Sequence, residues 1–141
     1  MEASIKILRV KVMSVRILKL SEVPGVDVEE EGFRGVNSVW AVLKRDEITG
    51  FSSRIFRIGP GGHTAMHTHD REHVAVVVRG MCWIEGDETK DEVREGGVVA
   101  IPAGVPHRFS NETKDQIVLL IMNIYTGSEE SEGPELDPSP P

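Results

Sequence analysis

The 141-residue chain has a single cysteine, Cys82, which excludes an intramolecular disulfide framework and any multi-cysteine zinc site. It has no long apolar stretch. Its longest unbroken runs, Val74 to Val78 and Ile117 to Met122, fall far short of the roughly 18 to 20 residues a membrane-spanning helix needs. Aromatic residues make up only 5% of the chain and none is interleaved among the first basic residues, so no stacking surface for nucleic acid is expected there. No self-similar period of about 20 to 50 residues is visible, which sets repeat architectures aside. The N-terminus interleaves Lys6, Arg9, Lys11, Arg16 and Lys19 with Ile and Val and lacks the continuous apolar core of a secretory signal. The expected location is cytoplasmic.

The net charge is −7, which disfavours nonspecific contact with nucleic acid or anionic membrane. The charge is uneven. Residues 1–20 carry five basic side chains and only Glu2 as an acid, a basic ribbon on an otherwise acidic body. That ribbon reads as an outer strand whose exposed edge invites pairing with a second copy, so a homodimer is expected. After Thr126 the tail holds five acids and four prolines with almost nothing apolar to bury, and disorder is expected for 126–141. One domain remains, 21–125, long enough to bury roughly two-thirds of its unfolded surface.

Within that domain, short β-branched or aromatic runs alternate with Gly and Pro. VWAVLKR (39–45), FSSRIFRI (51–58), HVAVVVR (73–79), MCWIE (81–85), GVVAI (97–101) and QIVLLIMNIY (116–125) read as strands. Turn chemistry separates them at 59–62, 79–80, 85–87, 95–97 and 102–104. A brief helix fits only near Ser21 to Val26. The fold class is therefore all-β, a sandwich or barrel.

Four of the five histidines fall into two clusters. His67 and His69 are two apart, so on a strand both side chains leave one face; His73 follows, and His107 comes after a tight Pro/Gly turn. Several imidazoles converging from neighbouring strands suit a borderline divalent ion and match neither a Ser-His-Asp arrangement nor a phosphate loop. His63 fits neither cluster and reads as a loop histidine near the mouth. Arg54 shares the phase of Phe56 and Ile58 and could meet a substrate carboxylate, while Phe109 alternates with His107 as a pocket wall. Cys82 reads as a small buried hydrophobe.

The segments Gly61 to Gly80 and Gly96 to Asn111 resemble the two motifs of the cupin superfamily, G-x5-H-x-H-x3,4-E-x6-G and G-x5-P-x-G-x2-H-x3-N. Every fixed position is matched but one: the family glutamate falls on His73. The resemblance, over about residues 35–125, implies a single-domain double-stranded β-helix, or jelly-roll barrel. It implies one divalent transition metal per chain held by His67, His69, His73 and His107, with Mn first, then Fe, and with Zn, Ni or Cu also fitting. Glu72, the nearest carboxylate, has the opposite strand phase and is not expected to ligate. Four neutral imidazoles leave the ion near +2, where a three-His, one-carboxylate set would leave about +1, so anionic small molecules are favoured.

Such a centre permits oxygenase, decarboxylase, isomerase or hydrolytic chemistry. The leading expectation is a dioxygen-using oxidation of a small organic substrate, with Arg54, Phe56 and Phe109 as pocket candidates and no organic cofactor. The competing expectations are a decarboxylase or isomerase, or a module that binds metal or ligand without turnover.

Overall fold

A computed structural model describes residues 15, 17–42 and 50–125. After a short 3-10 turn at Leu20–Glu22, these residues form strands β1 (Val26–Asp27), β2 (Arg34–Val42), β3 (Phe51–His63), β4 (Glu72–Arg79), β5 (Met81–Glu85), β6 (Lys90–Arg94), β7 (Val98–Ile101), β8 (Arg108–Ser110) and β9 (Ile117–Ile124). All pair antiparallel, in the order β6-β5-β8-β3-β9-β4-β7, with β2 on β3 and β1 on β2. The two ends of that order are consecutive in the chain. Their Gly96-Gly97 turn bonds to β4, Val77 donating to the Gly97 carbonyl at 3.0 Å and Gly96 donating to the Val77 carbonyl at 2.8 Å. The sheet thereby rolls into a nearly closed barrel, the expected all-β jelly roll.

Side-chain alternation decides what fills it. In β4 the buried set is His73, Ala75 and Val77, and in β9 it includes Ile117, Leu119, Ile121 and Asn123. The register stacks these into layers: Ile58 with Ile117; Phe56, Leu119 and Val77; Arg54, Ile121 and Ala75; then Ser52, Asn123 and His73. The first two layers are apolar and fully buried, the third adds the buried Arg54, and the last is polar. A histidine centre at one end of the barrel follows from that layering.

Several boundaries differ from the sequence reading. The glycines at 59–62 do not form a turn; β3 runs through them to His63, with a register shift opposite Arg34 and Val36. Close approach is the reason. A Cβ at Gly62 would lie 2.6 Å from the Arg34 carbonyl oxygen, and opposite it Gly35 takes φ +65°. Strand β6, KDEVR, was missed because four of its five residues are charged; it pairs along β5 with mostly exposed side chains. The helix expected near 21–26 is only the 3-10 turn, and Val26 already belongs to β1.

The start of the domain is pinned by Arg57. Its guanidinium donates to the carbonyls of Leu20 (2.9 Å), Val23 (2.7 Å) and Pro24 (3.2 Å) and to Asn37 Oδ1 (2.9 Å), filling a charged fork with acceptors. Of the basic ribbon, Val15 and residues 17–20 are described; they form no strand, and Val15 and Ile17 are exposed. The rest of the ribbon, the continuation of the 39–45 strand beyond Val42, and the 126–141 tail lie outside the described residues.

Candidate metal centre

His73 enters the barrel from β4 and is 2% exposed. His107 precedes β8, and His67 and His69 lie in the extended connection from β3 to β4 rather than on a strand. That connection is nevertheless held like one. His67 and His107 exchange both backbone hydrogen bonds, at 3.1 and 3.0 Å, and Gly104 donates to the His69 carbonyl at 2.8 Å. The turn before His107 supplies this pairing: Val105 donates to Pro102, and Gly104 adopts φ +84°, which a side chain would strain.

The result is a triangle of imidazoles. Ring centroids are 4.7 Å apart for His69 and His73, 5.6 Å for His69 and His107, and 5.5 Å for His73 and His107. Each of the three offers a ligand atom within 4.8 Å of the others. His67 flanks this group without being part of it: its ring is 5.4 Å from His69 and edge-on to Phe33 at 6.1 Å. Among the described residues no carboxylate belongs to the cluster, and Glu72 is exposed, on the opposite phase from His73.

The chemistry of these groups fits a cation. His107 Nδ1 lies 3.0 Å from the Val105 carbonyl, which can only accept, so Nδ1 carries the proton and Nε2 keeps its lone pair. His73 is buried with neither ring nitrogen hydrogen-bonded, an arrangement that costs free energy unless a ligand or ion takes up the lone pair. Burial, then the positive charges of His69, His107 and Arg71, push the His73 pKa down to about 3, with Asn123 working weakly the other way. At neutral pH the ring is unprotonated, as a metal ligand must be.

Around the triangle, Phe109 is buried with its ring 6.0 Å from His107, and its amide donates to Thr64 Oγ1. Phe56 is fully buried and touches Phe33, which in turn meets His67. Arg54 is 3% exposed, stacked at 4.7 Å on both Trp40 and Phe56, and donates to Ser38 Oγ at 3.4 Å. It lines a cavity of about 530 Å³ walled by Val23, Pro24, Val28 and Trp40 that contains none of the histidines. A smaller pocket of about 230 Å³, between Ile84, Val99, Pro102 and Pro106, does reach His107.

His63 ends β3 rather than lying in a loop, its Nδ1 donating to the Thr64 carbonyl. Asn111 braces the turn after β8 through the carbonyls of Ile58 and Asp115 and through Thr113. Cys82 is fully buried, and burial pushes its thiol up to about 11, which leaves it inert.

Residues 54–123 match the family model described as the cupin domain. The barrel has the fold of the cupin superfamily. The chain is 28% identical over 104 residues to 1-methylthio-D-xylulose 5-phosphate methylsulfurylase of Rhodospirillum rubrum, a match covering 70% of the chain and 66% of that relative, just under two-thirds of its length. Its fold is shared with a polyketide cyclase from Streptomyces resistomycificus, at TM-score 0.71 and 20% identity, covering 86% of this chain and 96% of the cyclase. A sugar phosphate isomerase from Silicibacter pomeroyi aligns at TM-score 0.66 and 20% identity, covering 79% and 76% of the two chains. Among the described residues, no helix is long and apolar enough to cross a membrane.

Sequence reasoning overlooked the groups that surround the histidines. Phe33 lies just before β2, outside every element suggested by the sequence, and carried no signal. Asn123 did carry one: it is the single polar residue in the apolar run from Ile117 to Ile124, and it falls on the buried phase.

Proposed function

We propose that this chain is a metal-dependent enzyme acting on a small anionic molecule, with His69, His73 and His107 holding one divalent ion and His67 closing in as a fourth ligand. The observation that carries this reading is the imidazole triangle with a fully buried, unprotonated His73 at its corner. His67 supports the fourth role because its backbone is locked to His107 while its ring sits at the edge of the cluster. An all-imidazole set without a carboxylate suits Fe, Zn, Ni and Cu better than Mn, so iron moves ahead of manganese. A divalent ion there supplies positive charge for an anionic substrate and open positions for substrate or dioxygen. The chain's own residues hold His73 neutral and the imidazoles oriented, and Phe33, Phe56 and Phe109 keep water away from that end of the barrel.

The reaction proposed first is a dioxygen-using oxidation. Chelator-stripped protein loaded with Fe(II) and exposed anaerobically to nitric oxide, a dioxygen surrogate, should give the high-spin ferrous-nitrosyl EPR signal. Its absence from fully loaded protein would remove the oxidative reading. The match to the methylsulfurylase favours a second reading, non-oxidative conversion of a sugar phosphate or similar anion. Turnover of such a compound with no oxygen uptake would select it, and tight capture with no product would indicate a binding module.

A further inference from the structure

The polar layer at the metal end of the barrel contains more than the histidines. Asn123 of β9 is the direct cross-strand partner of His73 on one side and of Ser52 of β3 on the other. It is 2% exposed. Its Nδ2 donates to Ser52 Oγ at 3.1 Å, and Ser52 Oγ is 2.9 Å from the Tyr125 hydroxyl, a buried chain of hydrogen bonds that starts at the amide. With Nδ2 committed to Ser52, Oδ1 is left on the other side, buried and without a hydrogen bond. Facing it is His73, whose two ring nitrogens are also buried and without hydrogen bonds.

These orphaned atoms complement one another. A neutral imidazole has one N–H to donate and one lone pair to offer, and an amide oxygen is a pure acceptor. Directly opposed residues on antiparallel strands have Cβ atoms about 5 Å apart. Oδ1 of Asn and Nδ1 of His are each two bonds beyond Cβ, so the two atoms meet at the same depth, and Nε2 projects further into the barrel. A small side-chain rotation closes the bond and leaves one His73 nitrogen for an ion.

We propose that Asn123 is a positioning residue for the metal centre: its Oδ1 accepts the Nδ1–H of His73 and fixes the tautomer whose Nε2 lone pair faces the ion. This rests on the metal reading above. With Ser52 accepting from the other end of the amide, the pair is a carboxamide analogue of the carboxylate-histidine pairs that orient metal ligands elsewhere. The arrangement also explains why an amide occupies the buried phase of an apolar strand, where Leu or Ile would otherwise be expected.

The experiment uses full-length, metal-free protein and long-range 1H–15N NMR of the histidine rings, followed by titration with Zn(II) against a chromophoric chelator. Wild type should show His73 as a single Nδ1–H tautomer. Asn123→Ala should show mixed tautomers and bind Zn(II) about tenfold more weakly or worse. Asn123→Asp keeps an acceptor oxygen at the same reach and should restore both readouts. An Nε2–H or mixed tautomer at His73 in wild type overturns the proposal, and so does Asn123→Ala with tautomer and affinity unchanged. Loss of Zn(II) binding in Asn123→Ala with an unchanged tautomer overturns it too, since Asn123 would then be a ligand itself. If Asn123→Ala does not fold, the wild-type tautomer and Asn123→Asp decide. Failure of wild type to bind Zn(II) would count against the metal reading alone, because the tautomer is read without metal.

Discussion

His73→Gln should flatten the acid sensitivity of the metal-free fold. The fold holds His73 neutral, with its pKa pushed down to about 3 by burial and by the charges of His69, His107 and Arg71, whereas the unfolded chain protonates it near the ordinary value of 6.5. Between those values the unfolded state binds the extra proton, so stability falls as pH falls. One such proton is worth about 1.4 kcal/mol per pH unit once the unfolded group is fully protonated, so lowering pH from 6.5, where it is half protonated, to 4.5 costs about 2 kcal/mol from this group. That is a large share of the roughly 5 to 15 kcal/mol of a typical domain. Gln fills similar space and does not titrate. Urea unfolding of chelator-stripped wild type and His73→Gln from pH 7.5 to 4.5 should give a slope steeper in wild type by most of this amount. Parallel curves would refute the reasoning and place a charged or solvated His73 in the fold.

Metal affinity separates the two neighbours at 72 and 73: His73→Gln should weaken binding at least about tenfold, while Glu72→Gln, exposed on the other face, should change it less than about twofold in a competition assay. Leu119→Ala removes a fully buried side chain between Phe56 and Val77 and should cost about 2 to 5 kcal/mol by denaturant unfolding, against less than about 0.5 for the exposed Val78→Ala. Removing residues 1–14 leaves the Arg57 clamp on Leu20, Val23 and Pro24 intact and, on the dimer reading of the basic ribbon, should convert dimer to monomer in light scattering.

Much of this barrel was legible because its strands obey simple alternation. MCWIE was located to the residue, and the most deeply buried residues of β4 and β9 lie two apart, as a strand demands. What escaped was decided by neighbours distant in sequence. Gly59 to Gly62 look like a turn until the Arg34 carbonyl is laid against Gly62; KDEVR looks like coil until β5 supplies a partner. The histidines were legible as a group from their spacing, and His69, His73 and His107 do converge. That His67 stands beside the trio was not legible, because its position depends on the bridge to His107 and on Phe33. Arg54 was placed correctly in the buried phase, but its guanidinium faces Trp40 and a cavity away from the histidines, a matter of side-chain direction that alternation does not encode.

The central claim is that the imidazole cluster holds a transition metal, and elemental analysis of protein purified without chelator tests it most directly. The expected result is close to one equivalent of a single transition metal per chain in wild type, falling to a small fraction in His73→Gln purified alongside. Less than about a tenth of an equivalent in wild type, even after reconstitution with Fe(II), Mn(II) and Zn(II), would contradict it.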